Sequence, residues 1–111
     1  MLGDLGRMMK LAAQMKARLP AVQRKLEESE YWAEAGGGAV RAAVNGKGRL
    51  LDVKIDPGAL AEEGLSSDAE MLADLIKAAV SAAQKKASEA AAKAMHELTG
   101  GVKLPGLEGM M

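Results

Sequence analysis

A chain of 111 residues, 49% hydrophobic and 27% charged, has the size and balance of one globular domain. It has no cysteine, which excludes a disulfide framework, a thiolate nucleophile and any cysteine-ligated metal. Basic and acidic residues number 15 each, so the formal net charge is zero, and one His, one Trp, one Tyr and no Phe leave a core of Ala, Leu, Val and Met. Such a core is thin, because alanine buries little area.

The neutral total conceals an uneven distribution. Residues 1–26 hold six basic residues and one acidic residue, a surplus of +5. Residues 27–75 carry −7 and residues 76–111 carry +2. A positive first segment beside an acidic middle suggests that one face meets an anion. The N-terminus lacks the basic and apolar regions of a signal peptide, and no apolar run is long enough to span a membrane, so a cytoplasmic location is expected.

The first element reads as helix. Met8, Leu11, Met15, Leu19, Val22 and Leu26 recur at steps of three and four, and Arg7, Lys10, Lys16, Arg18, Arg24 and Lys25 all fall outside that apolar stripe. Asp4 suits the positive end of the helix dipole. Pro20 interrupts the pattern, since proline inside a helix costs roughly 3 kcal/mol. The stripe nevertheless continues through it, which predicts one helix from about residue 4 to 29, bent near Arg18 or Leu19. Two shorter helices are the alternative.

A β-meander is expected next. Residues 31–35 form a poorly patterned first strand, and Gly36-Gly37-Gly38 breaks the chain. Val40, Ala42 and Val44 alternate with Arg41 and Ala43 as in a half-buried strand. Asn45-Gly46-Lys47-Gly48 predicts a hairpin turn from the tolerance of Asn and Gly for positive φ. Leu51, Val53 and Ile55 alternate with Asp52 and Lys54, and Asp56-Pro57-Gly58 ends the strand. A loop follows.

Ser67 to Glu70 then reads as a capping box opening the last helix, about residues 68–98, with Met71, Leu72, Leu75, Ile76, Ala79, Val80 and Ala83 on its apolar face. Gly100-Gly101 stops it. The expected plan is α+β, in the order α-β-β-β-α: a single domain over 1–111, comprising a helical arm (1–30), a meander (31–57), a C-terminal helix (67–99) and a mobile tail (100–111).

The helices exceed the sheet. About 26 residues of helix span roughly 40 Å, whereas a six-residue strand spans about 20 Å. A three-stranded sheet also leaves open edges. A two-fold dimer would extend the sheet and give the helix ends a second partner.

Signs of catalysis are weak. His96 is the only histidine and suits a helix C-terminus. The glycine runs lack the spacing of phosphate loops. Glu34, Asp52 and Asp56 have no His, Lys or Tyr at a suggestive spacing, and Ser66, Ser67 and Ser81 have no base. Trp32, between Glu30 and Glu34, reads as an edge or dimer contact in preference to a base-stacking platform.

Four features in order resemble the YbaB/EbfC family of nucleoid-associated proteins. They are Leu2-Gly3-Asp4-Leu5-Gly6-Arg7-Met8-Met9-Lys10 running on to Gln14-Met15-Lys16; Ala35-Gly36-Gly37-Gly38-Ala39-Val40 leading to Val44-Asn45-Gly46; Val53-Lys54-Ile55-Asp56-Pro57 followed by Leu60; and Glu70-Met71-Leu72-Ala73-Asp74-Leu75-Ile76 with a Gly-x-x-Leu-Pro-Gly tail at residues 101–106. The resemblance implies a tweezer-like homodimer with joined sheets and projecting helices. It further implies cytoplasmic, nucleoid-associated binding of double-stranded DNA that alters its conformation, with effects on gene regulation and DNA protection. No cofactor, metal, membrane or small-molecule substrate is expected, and no enzymatic activity. The departures are Pro20, which alters the arm, and the zero net charge, which leaves affinity to local patches. The expected DNA-contacting residues are Arg7, Lys10, Lys16, Arg18, Arg24 and Lys25, with Lys77, Lys85, Lys86 and Lys93 on the last helix. The rival reading is a protein-interaction module that uses the long Ala/Met helices.

Overall fold

Periodicity of three and four at both ends and of two in the middle produces two long helices around a small sheet. The computed structural model describes residues 2–62, 64 and 68–98. The elements in order are α1 (Leu2–Glu28), β1 (Tyr31–Ala35), β2 (Val40–Val44), β3 (Leu50–Ile55), α2 (Pro57–Glu62) and α3 (Ala69–Leu98). The strands form one antiparallel sheet in the order β1-β2-β3. The α-β-β-β-α plan is therefore present, with α2 added between the sheet and α3. The expected mobile tail (100–111), the Gly100-Gly101 stop and the Ser67 cap lie outside the described residues.

α1 is one helix through Pro20, not two shorter ones. Pro20 is exposed, so the carbonyl of Lys16, which loses its i+4 amide to the proline ring, sits on the wet side of the helix.

The sheet carries the core on one face. Val40, Ala42 and Val44 of β2 and Ala33 of β1 are buried against Ala79, Ala83 and Ala87 of α3. The three alanines recur every four residues, so a row of methyl groups lets α3 approach the sheet closely. Leu72, Leu75, Ile76 and Val80 pack at the margin, while Met71, expected on the apolar face, is largely exposed. The largest fully buried side chains are only Val40 and Val44. Ala43, expected on the solvated face, is also buried; it stands between Trp32 and Asp52 in register. In β2 only Arg41 is exposed.

The turns have specific chemistry. Gly36, Gly37 and Gly38 all adopt left-handed φ (64°, 66° and 96°), which only glycine sustains in succession. In the β2–β3 turn the expected positive φ falls on Gly48 (84°) alone, not on Asn45 or Gly46. Asn45 braces the turn instead: its buried side chain accepts from the amides of Lys47 and Arg49 through Oδ1, both at 3.0 Å. Gly46 is glycine because α1 comes so close. A Cβ there would lie 2.7 Å from the Leu26 carbonyl oxygen.

α2 occupies part of the region expected to be loop. Asp56 caps it by accepting from the amides of Gly58 (2.9 Å) and Ala59 (3.2 Å). Pro57 takes the first helical position, where no amide is needed, and Leu60 is buried. At the start of α3, Asp68 Oδ1 accepts from the Met71 amide at 3.0 Å and so serves as the N-cap.

Candidate nucleic-acid interface

The candidate surface begins with how α1 leaves the sheet. Its last turn is fastened to the β2–β3 turn: the Gly46 amide donates to the Leu26 carbonyl at 2.7 Å, and Lys47 Nζ meets Glu27 Oε1 at 2.6 Å. The charge and hydrogen bond of Lys47 hold the Glu27 carboxyl below its ordinary pKa. Ser29 Oγ donates to the Lys25 carbonyl and closes the helix end.

From that anchor α1 runs outward beside the C-terminal half of α3. Val22, Lys25, Leu26 and Ser29 share a cleft with Ala90, Lys93, Ala94, Glu97 and Leu98. α1 runs toward the sheet and α3 away from it, so the two helices are antiparallel. Met15, Leu19, Val22 and Leu26 are half-buried, but Leu5, Met8 and Met9 are 57–68% exposed. The apolar stripe is thus covered over its C-terminal half only. The radius of gyration is 19.6 Å and the long dimension 68 Å, whereas a compact chain of this length has a radius near 13 Å.

All ten expected contact residues are exposed. On α1, Arg7, Arg18 and Lys25 are 11 and 7 residues apart and fall on one line along the helix, at about 100° per residue. Lys10 and Arg24 lie to one side of that line, and Lys16 is farther round. The α1–α3 cleft brings Lys25 and Lys93 together. The α3 lysines do not make one face: Lys86 and Lys93 flank the buried alanine row, while Lys77 and Lys85 lie on the opposite side of the helix. Lys86 is also engaged within the fold, donating to the Trp32 carbonyl at 2.7 Å.

One arrangement escaped the sequence reading. The Trp32 ring lies on the open face of the sheet with Arg41 Cζ 5.5 Å and Lys54 Nζ 5.2 Å from its centroid. Its Nε1 donates to Glu30 at 3.4 Å. Along the strand the neighbours of Trp32 are two acids; across strands they are two cations, which only the register reveals. Glu34 and Asp56 meet Arg41 and Lys54 around a shallow depression of about 330 Å³. Asp52 is not part of its lining, and Asp56 Oδ1 is committed to capping α2.

The fold and surface define a class: an α-β-β-β-α protein that carries a basic helix outward from a small antiparallel sheet. The chain belongs to the YbaB/EbfC DNA-binding family, whose model matches residues 1–102. It is 42% identical over 94% of its length to a nucleoid-associated protein of Clostridium novyi, covering 88% of that protein. It is 40% identical to one of Moorella thermoacetica, over 95% of this chain and 97% of that one. The fold is shared with an uncharacterised protein of Helicobacter pylori, with a TM-score of 0.67 and 24% identity over 84% of this chain and 94% of the other. No described helix is long and apolar enough to cross a membrane.

Proposed function

We propose that this protein is a nucleoid-associated homodimer that grips duplex DNA through phosphate contacts from its helical arms, altering the conformation of the DNA. The carrying observation is the exposure of Arg7, Lys10, Lys16, Arg18, Arg24 and Lys25 on a helix anchored at only one end, in a chain of a DNA-binding family. An arm of about 40 Å matches one turn of duplex, about 34–36 Å. Lys93, beside Lys25 in the cleft, extends the contact; Lys77 and Lys85, on the other side of α3, offer a separate basic surface, and Lys86 contributes less because its ammonium is held by the Trp32 carbonyl. Contacts of this type position a protein without reading bases, so preference follows DNA shape. Roles in nucleoid organisation, gene regulation and DNA protection follow from occupancy of this kind.

The test is salt dependence. If about six phosphates are neutralised per dimer, log K against log salt has a slope near −5. Fluorescence anisotropy on a labelled duplex measures it; a slope near zero, or no binding at low salt, overturns the proposal.

Exposed Leu5, Met8 and Met9 favour a second reading, in which the arm docks a protein. Reversing the charge of Arg7, Lys10, Lys16 and Arg24 separates the two: DNA binding collapses, while an apolar interaction survives.

A further inference from the structure

The far end of α1 carries large apolar side chains that the rest of the chain does not cover. Leu5, Met8 and Met9 are each more than half exposed, about 30 Å along the helix from the Leu26 anchor. At about 100° per residue, the three fall within one arc of about 100°. Lys10 lies about 100° beyond Met9 on one side of that arc, and Arg7 about 100° beyond Met8 on the other. Asp4, one turn before Met8, is the sole acid of α1 ahead of Glu27.

Gly6 gives a second observation. It sits inside α1 with an ordinary negative φ, where glycine is less favourable than alanine. A Cβ at this position would meet nothing within 4 Å. Packing accounts for Gly46, which meets Leu26, but nothing in the chain accounts for Gly6. In angle it falls between Met9 and Lys10, so it leaves the helix bare between the apolar arc and one of its cations. A bare spot of this kind admits the close approach of another backbone.

Apolar points, a cation on either side and a bare strip of helix are what a wedge into duplex DNA requires. Leu and Met side chains entering from the minor groove part a base step and kink the duplex, while neighbouring cations hold the phosphates. Methionine suits the task, being unbranched and having a thioether that packs on aromatic rings. We infer that Met8 and Met9 wedge into a base step of bound DNA, with Leu5 at the margin, Arg7 and Lys10 on the flanking phosphates and Gly6 admitting the sugar–phosphate backbone. The inference rests on the DNA-binding reading above and names the residues through which the conformation of the DNA changes. The arm of a second copy is the other apolar occupant. Residues 1–26 carry +5, so two such arms repel one another, whereas DNA supplies the opposite charge. Pyrimidine–purine steps unstack most readily, so TA steps are the expected point of entry.

The test uses the full chain and a short duplex with a fluorescent adenine analogue, quenched while stacked, at a central TA step. Binding of the parent should raise that fluorescence roughly twofold or more, as an unstacked step requires. The double variant Met8→Ala, Met9→Ala keeps its helix-forming character and all its cations. At full occupancy it should lose the rise, bind roughly three- to tenfold more weakly and retain the salt slope that counts phosphates. Gly6→Ala should fold at least as firmly as the parent yet bind DNA roughly threefold more weakly. Met71→Ala, at an exposed methionine of α3, should behave as the parent does. Circular dichroism establishes that each variant is folded. A parent that binds with a steep salt slope but leaves the analogue quenched, or a double variant that still lights it, overturns the wedge and leaves the phosphate grip standing. A double variant that changes the sedimenting mass and not the DNA signal gives the patch to a second copy, and overturns the wedge as well. A parent that binds no DNA at low salt overturns both readings.

Discussion

Gly46 donates its amide to the carbonyl of Leu26 at 2.7 Å, and with the Lys47–Glu27 ion pair this bond sews the β2–β3 turn to the last turn of α1. Gly46→Ala would force a methyl group within 2.7–2.9 Å of the Leu26 carbonyl oxygen, Cα and Cβ. Relief requires the helix to move, at about 1–3 kcal/mol. Gly48→Ala meets no atom within 4 Å and pays only for its left-handed φ, about 1–2 kcal/mol. Urea unfolding of both variants should rank Gly46→Ala as the more damaging, and only that variant should alter the amide exchange of α1.

The neighbouring ion pair gives a pH signature. Lys47 lowers the Glu27 carboxyl pKa in the folded chain, so the pair contributes above the unfolded carboxylate range and fades as pH falls through the depressed folded value. Wild type should exceed Lys47→Ala in melting temperature by a small margin at pH 7, and that margin should vanish in acid. Both groups are exposed, so added salt should shrink it as well. A margin that grows on acidification would contradict the assignment.

Trp32 offers a single optical probe, being the only tryptophan. Arg41→Ala removes one of the two cations over its ring and should cost about 0.5–1 kcal/mol with a shift in its emission. An unchanged spectrum in a folded variant would show that the guanidinium does not stack in solution.

The arms make unequal predictions for individual cations. Arg18→Ala should reduce the steepness of the salt dependence by about one for each phosphate it no longer neutralises. Lys86→Ala should leave that slope nearly unchanged and instead lower stability by about 0.5 kcal/mol, since its ammonium serves the Trp32 carbonyl. Anisotropy titrations at four salt concentrations distinguish the two behaviours.

The sequence made the two helices and three strands legible because their patterns are long or strictly alternating. The bounds of β1 and β2 coincide with expectation, and β3 begins one residue early at Leu50. What escaped was held by tertiary or cross-strand contact. α2 is six residues long, too short for periodicity, although Asp56-Pro57 carried a cap and a first-turn proline. Gly46 reads in the sequence as a positive-φ turn residue, when its cause is the approach of Leu26 from the preceding helix. The surroundings of Trp32 depended on register, which places Arg41 and Lys54 beside it. The basic residues of α1 were readable one by one, yet only the fold shows Lys25 beside Lys93 and the Lys86 ammonium committed to the Trp32 carbonyl.

The alanine row on α3 has a consequence beyond packing. Ala79, Ala83 and Ala87 fix the gap between helix and sheet at the thickness of a methyl group. Past Ala87 the same helix continues beside α1, so a rotation of α3 at the row changes how α3 meets α1 at the cleft that holds Lys25 and Lys93. The row is a fulcrum. Enlarging one alanine there would change the angle at which α3 leaves the sheet, and with it the width of its cleft with α1, without touching a single charged residue.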